Sequence, residues 1–133
     1  MVQPRAEAQA IDTFNGNLVA VPVGVARELG GIDGEFAHAW ADIDYGLRAG
    51  AAGFAVVLAP GTFGTCPRNE PNYSGSILTR WRRHRSRKGG GQPTSIKRLI
   101  TRHEPTKWPW AGWASVTLWW AREIEASLRG RRA

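Results

Sequence analysis

The sequence feature that most constrains the fold is a predicted helix that a single glycine separates from a predicted strand. Across residues 42–52, side chains recur at helical spacing on two neighbouring stripes, one containing Leu47 and the other Tyr45. Gly53 is expected to end this helix, and residues 54–59 (FAVVLA) have the length and composition of a strand. A helix that is followed directly by a strand favours a layered α/β fold.

Further elements are expected before that helix. Residues 17–23 (NLVAVPV) form an apolar run of strand length, and residues 23–29 predict a short helix that Gly30-Gly31 stops. Residues 1–11 are interpreted as a frayed lead-in. The first half of the chain is therefore predicted to run strand, helix, loop, helix, strand.

The second half of the chain differs from the first in charge. Residues 1–77 carry a net charge of −4, whereas residues 78–133 carry +11. The sequence predicts two parts, an α/β segment over residues 1–76 and a basic, helical extension over residues 77–133, with one short helix over 93–102. A basic part attracts nucleic acid, anionic lipid or a phosphorylated ligand, and charge alone does not choose among them.

Tryptophan is concentrated in the basic extension. Five of the seven Trp lie within residues 108–128, which are predicted to be helical after Pro109. Trp113, Trp120 and Ile124 share one helical stripe and can form a core. Alternatively, indole rings flanked by arginine suit the headgroup level of a bilayer.

Cysteine usage and hydropathy bound the expected location of the protein. Cys66 is the single cysteine, so an internal disulfide framework is excluded and a reducing compartment is expected. No run approaches the roughly 18 apolar residues of a membrane-spanning helix. Residues 1–10 lack the apolar core of a signal peptide. We therefore expect a cytoplasmic protein, in solution or peripheral at the inner face of the membrane.

Residues with possible chemistry cluster at the start of the predicted central helix. Five of them fall within twelve positions: Asp33, Glu35, His38, Asp42 and Asp44. A carboxylate at a helix mouth beside a loop can accept a proton from a substrate hydroxyl, as a general base does. Asp42 is equally suited to cap the helix, and Asp44 complements its dipole. Asp44 and Arg48 can also pair on the helix surface.

Metal binding is not predicted from the histidines and the cysteine. His38 can bind a phosphate, a sugar hydroxyl or a metal, although a packed or surface histidine is the commoner case. His84, His103 and Cys66 show no ligand spacing. No metal site is therefore expected in this chain.

Several motifs follow one another in an order that resembles family-2 glycosyltransferases of the GT-A fold. In chain order they are Asp12-Thr13-Phe14-Asn15-Gly16-Asn17, Gly30-Gly31-Ile32-Asp33, Ala41-Asp42-Ile43-Asp44-Tyr45-Gly46-Leu47-Arg48-Ala49 and Ala52-Gly53-Phe54. In that family a glycine pair and an acidic residue precede a loop, which leads to an acidic helix start with a downstream Arg. Residues 64–69 and 101–110 also resemble a bacterial, rhamnosyltransferase-like branch.

The resemblance implies a reaction and a catalytic residue. The implied reaction is inverting transfer of a sugar from a nucleotide-sugar donor to a glycan or lipid-linked acceptor, as in the synthesis of cell-wall polysaccharide. Asp42 occupies the position of the family's catalytic base, which deprotonates the acceptor hydroxyl. Asp44 and Arg48 are implied to support that helix and the adjacent loop.

The resemblance also implies further substrate-binding residues. Asp33 and His38 would border the acceptor pocket. Asn15 and Asn17 would lie where the chain approaches the donor sugar. Together with Asp44 and Arg48, these residues complete the expected site.

The chain departs from the family pattern in ways that limit the implied activity. Ala41 stands where the family usually has Glu, and Thr65 stands where many relatives have His. No segment matches the family's N-terminal nucleotide-binding region, whose DxD motif holds Mg or Mn. We therefore expect a partial GT-A-like α/β domain that is inactive alone and that a separate N-terminal half could complete. The alternative is a non-catalytic module whose basic part binds nucleic acid or an anionic membrane surface.

Overall fold

The structure is a computed structural model that describes residues 5–36, 39–66 and 74–129. Within these residues the chain is mostly helical, with one two-stranded antiparallel sheet. The elements are β1 (Gln9–Ala10), α1 (Val23–Leu29), α2 (Ala41–Ala51), β2 (Val57–Leu58), α3 (Ile77–Arg85), α4 (Pro93–His103), a 3₁₀ turn (Pro105–Lys107) and α5 (Trp108–Arg129).

The chain divides into two compact units. The described part of the first comprises residues 5–34 and 41–66. That of the second comprises residues 35–36, 39–40 and 74–129. The boundary that the sequence predicts between residues 76 and 77 stays a prediction.

The central helix of the first unit is confirmed, and so is the glycine that ends it. Helix α2 runs over Ala41–Ala51, one residue from the predicted start and end. Gly53 then adopts a φ of 85°, a left-handed conformation that glycine adopts without steric cost. Of the two predicted stripes, the one with Tyr45 and Ala49 is buried. Helix α2 therefore supplies the buried hydrophobic side chains of this unit's described residues.

The predicted strands are largely wrong. Residues 17–22 form no strand, and Pro22 instead precedes α1, where its carbonyl accepts a hydrogen bond from Ala26 N at 3.0 Å. Proline suits this place because its fixed φ is helix-compatible and its missing N–H is not needed there. The strand expected over residues 54–59 is reduced to β2. Its partner is β1, with Gln9 opposite Leu58, although this segment was expected to be frayed.

The helices of the second unit begin with side-chain caps. Ser76 Oγ accepts a hydrogen bond from Thr79 N at the start of α3, which lies in the predicted helical extension although no separate helix was predicted there. Gln92 Oε1 accepts one from Ser95 N at the start of α4. Because such caps satisfy N–H groups that have no partner within the helix, they fix where each helix starts. The helices predicted over residues 93–102 and after Pro109 are confirmed.

One face of α5 packs within the second unit, against α3. The Trp81 ring of α3 lies 4.7 Å from the Trp119 ring, and the Arg80 guanidinium pairs with the Glu123 carboxylate at 2.7 Å. These contacts turn one side of α5 toward α3. The stripe of Trp113, Trp120 and Ile124 is exposed, so the core alternative does not hold for these residues. None of the helices in the described part of the chain is both long and apolar enough to cross a membrane.

Candidate active site

The loop over residues 13–17 lies against α2 and is fixed there by hydrogen bonds. Thr13 Oγ1 donates to the carbonyl of Ile43 at 2.9 Å, and Gly16 N donates to Asp42 Oδ2 at 2.8 Å. The approach is close because Gly46 has no side chain. A Cβ at Gly46 would lie 2.6 Å from Thr13 Oγ1 and 2.9 Å from Thr13 Cα, which is too short for a real contact.

The Asp42 carboxylate is held by backbone groups on both of its oxygens. Oδ2 accepts the bond from Gly16 N, and Oδ1 accepts one from Ile43 N at 2.9 Å. Because α2 begins at Ala41, Asp42 lies inside the first turn, and the expectation that it caps the helix is wrong. Its carboxylate still satisfies one first-turn N–H, in addition to holding the loop. The side chain is half-buried.

Arg48 joins α2 to the segment that follows α1. Its Nε donates to Asp44 Oδ2 at 2.9 Å, its NH1 to the Leu29 carbonyl at 2.8 Å and its NH2 to the Gly31 carbonyl at 3.0 Å. The predicted pair between Asp44 and Arg48 is confirmed, but the expectation that it lies on the surface is wrong because Asp44 is fully buried. A single guanidinium thereby positions the glycine pair beside α2.

These contacts enclose a cleft of about 560 Å³ within the first unit. This size falls in the range of small-molecule sites, about 300–1,000 Å³. Its lining is mostly apolar and includes one carboxylate, that of Asp42. The lining residues are Phe14, Gly16, Asn17, Leu18, Val19, Val21, Ala26, Gly30, Gly31, Ile32, Asp42 and Tyr45.

The other predicted site residues are distributed unevenly around this cleft. Asn17 lines it, whereas Asn15 is an exposed neighbour whose carbonyl accepts a bond from Asn17 N. Asp33 is half-buried and directly follows the lining residue Ile32. His38 lies outside the described residues. The three motifs around Asn17, Gly31 and Asp42 are thus brought together, although they are far apart in sequence.

Two glycines and a tyrosine complete the site and were not predicted. Gly16 supplies the N–H that holds Asp42, Gly46 permits the loop to approach, and Tyr45 lines the cleft. Glycine within the predicted helix did not identify this approach, because Gly50 lies in the same helix and a Cβ there would meet nothing within 4 Å. The sequence carried no signal for a backbone donor at Gly16 either.

The described residues do not fit the Mg or Mn ion that the resemblance implies. Across residues 5–36, 39–66 and 74–129, no three His, Cys, Asp or Glu side chains are grouped in a way that could hold a metal ion. Cys66 is exposed.

Comparison with known proteins agrees with the order of motifs around the cleft. The sequence model of one protein family, described as Glycosyl transferase family group 2, matches residues 8–126. The matched region contains the loop over residues 13–17, α1, α2 and most of α5. No curated protein and no solved structure matches the chain.

Proposed function

The chain belongs to glycosyl transferase family group 2, and from this we propose that Asp42 is the general base of an inverting sugar transfer. In the proposed step, an acceptor hydroxyl in the cleft gives its proton to the Asp42 carboxylate. The acceptor oxygen forms a bond to the anomeric carbon of the donor sugar. The bond from that carbon to the nucleotide diphosphate breaks, and the diphosphate leaves with the electron pair.

The observation that carries this proposal is the position of the Asp42 carboxylate at the wall of the cleft. Each oxygen accepts one backbone hydrogen bond, from Gly16 N or Ile43 N. A carboxylate oxygen has two lone-pair sites, so each oxygen retains one for a substrate hydroxyl. Two bonds from different segments also fix the orientation of the group. A general base must lie within hydrogen-bonding reach of the hydroxyl that it deprotonates, and this arrangement is compatible with that requirement.

The neighbouring residues support distinct proposed roles. Asp44 and Arg48 are positioning residues in this account, because their pair is buried and holds the Leu29 and Gly31 carbonyls. Asn17 lies on the cleft wall and is proposed to bind a sugar hydroxyl. Asn15, Asp33 and His38 are kept as proposed substrate contacts, of which His38 lies outside the described residues. The apolar remainder of the lining suits an acceptor with an apolar part, such as a lipid-linked glycan.

We propose that the donor nucleotide is bound outside this cleft. The lining residues of the cleft in the described part of the chain include one acidic side chain and no basic one. A diphosphate placed there would face Asp42 with no compensating cation, which is unfavourable. The donor, with the Mg or Mn ion it requires, is therefore assigned to another segment or to a separate chain. We propose that the chain belongs to the rhamnosyltransferase-like branch of the family, which would make rhamnose the donor sugar.

The test is an assay of radiolabelled sugar-nucleotide incorporation in extracts of cells that make the chain. Deleting its gene should abolish one labelled product, and adding back the purified chain should restore it. Labelled product that is unchanged by the deletion would argue for a non-catalytic module. Turnover by the purified chain alone would overturn the proposal that a separate chain supplies the donor site, without affecting the role of Asp42.

A further inference from the structure

One face of α5 is both apolar and exposed. Its members share one helical stripe because their spacings of three, seven, four and four residues are near multiples of a helical turn. They are Trp110, Trp113, Trp120, Ile124 and Leu128, named here the Trp face. Trp110 and Trp113 are 78% and 73% exposed. The packed side of the same helix carries Trp119 and Glu123, which contact α3.

Exposed cations lie in the same unit as the Trp face. They occupy α3 and the turn that follows it: Arg82, Arg85, Arg87 and Lys88. The Arg85 guanidinium lies 5.1 Å from the centre of the Trp81 ring, and that ring lies 6.0 Å from the Trp120 ring. The Arg85 charge is therefore linked through the Trp81 ring to Trp120, a member of the Trp face.

A shallow apolar cavity opens on the same helix. It has a volume of about 340 Å³ and lies at the N-terminal end of α5. Its lining contains no charged residue and consists of Trp108, Pro109, Gly112, Trp113 and Val116. Such a surface can receive an acyl chain and offers a phosphate no charged partner.

We propose that the Trp face and the exposed cations dock on an anionic lipid surface, with α5 lying in the plane of the headgroups. Tryptophan rings favour the boundary between headgroups and acyl chains, while Arg and Lys attract lipid phosphates. A nucleic acid would engage the cations but leave Ile124 and Leu128 in water. A second copy would bring its own cations toward the same interface, which like-charge repulsion disfavours.

The apolar part of the proposal is tested by flotation of the purified full chain with lipid vesicles. The vesicles contain equal parts of phosphatidylglycerol and phosphatidylcholine, and phosphatidylcholine alone serves as the uncharged comparison. The double variant Trp113→Ser/Ile124→Ser should lower the partition coefficient about tenfold or more, because it removes apolar area from the interface. Leu118→Ser is the matched control. Leu118 is 57% exposed on the same helix but lies off the Trp face, so its loss should change binding less than about twofold.

The charged part is tested with Arg82→Gln/Arg85→Gln. This variant should weaken binding to the anionic vesicles about thirtyfold, because it removes two cations that attract the lipid phosphates. Arg27→Gln, on α1, is the control and should leave binding unchanged. Circular dichroism confirms folding, and Trp110→Ser replaces the double Trp face variant if that variant unfolds.

Three results would overturn the proposal. The first is equal loss of vesicle binding in the Leu118 control and in the Trp face variant. The second is a concentration-dependent dimer of the parent chain in sedimentation, lost in the Trp face variant, together with no vesicle binding by the parent chain. The third is salt-sensitive oligonucleotide binding in the absence of vesicle binding.

Discussion

The backbone N–H of Gly16 donates a hydrogen bond of 2.8 Å to the Asp42 carboxylate, across 26 positions of the sequence. This bond joins the loop over residues 13–17 to the first turn of α2. It fixes one carboxylate oxygen from outside the helix, while Ile43 N fixes the other from within it. The proposed base is therefore oriented by two segments, and disturbing either one should be measurable.

Gly46→Ala should destabilise the first unit. The added Cβ would collide with Thr13, including its backbone Cα, so the loop must move away from α2. We expect a loss of about 1–3 kcal/mol in the free energy of unfolding, the usual cost of overpacking. Urea denaturation followed by circular dichroism measures it.

Gly50→Ala provides the matched control in the same helix. A Cβ at Gly50 meets nothing within 4 Å, so the variant gains helix propensity and should stabilise by about 0.5–1 kcal/mol. If both alanine variants shift stability in the same direction, the close approach of the loop is not what makes Gly46 necessary.

Arg48→Met should be among the costliest substitutions in the chain. It removes the guanidinium that pairs with the fully buried Asp44 carboxylate, and it releases the Leu29 and Gly31 carbonyls. Breaking a buried pair in this way costs about 3 kcal/mol or more. The second change Asp44→Asn should recover part of that loss, because it removes the buried charge.

The exposed pair of Glu104 and Lys107 is the control for the buried one. Both side chains are mostly exposed, so Glu104→Gln should cost less than about 0.5 kcal/mol. Equal costs at the two pairs would contradict the role given to Arg48. The comparison requires only equilibrium unfolding curves of the two variants and the parent chain.

His84 should make stability depend on pH. Its pKa is lowered below the ordinary 6.5, first by burial and then by the charges of Arg85 and Arg122. Between that lowered pKa and 6.5, the unfolded chain binds more protons than the folded chain. The free energy of unfolding should therefore rise with pH through this window. The stability that neutral His84 contributes is complete above pH 6.5 and is lost as pH falls through the window.

The pH dependence can be assigned by replacing one histidine at a time. His84→Gln should flatten the dependence of the free energy of unfolding in this window, whereas His103→Gln should retain the part due to His84. A slope that survives in His84→Gln would place its origin in other groups. The measurement is a series of urea denaturation curves at closely spaced pH values.

Local signals in the sequence predicted the helices better than the strands. Gly53 and Gly30-Gly31 marked helix ends because positive φ is a local requirement, met at both Gly53 and Gly30. Residues 17–23 looked like a strand because their side chains are apolar, but a strand also needs a partner, and their pattern does not encode one. The short pairing of Gln9 with Leu58 joins segments that are far apart in the chain, so no local sequence pattern predicted it.

The candidate site was predicted in its parts rather than in its geometry. The motifs around Asn17, Gly31 and Asp42 were recognised by their order, and the structure brings them to one cleft. The spacing of residues along the chain could not predict how deeply each side chain is buried. Asp44 is buried rather than on the surface, and the stripe of Trp113 and Trp120 faces outward because the opposite side of α5 packs on α3.

The most direct test of the proposed base compares Asp42→Asn with the exposed control Asp12→Asn in the radiolabelled incorporation assay. Each purified variant is added to extract from cells that lack the chain. Asparagine keeps the shape of the side chain but cannot take the proton, so Asp42→Asn should lower kcat/KM by about 100-fold or more. Asp12→Asn should retain activity within about twofold of the parent chain. Wild-type turnover by a folded Asp42→Asn variant would contradict the assignment of Asp42 as the base.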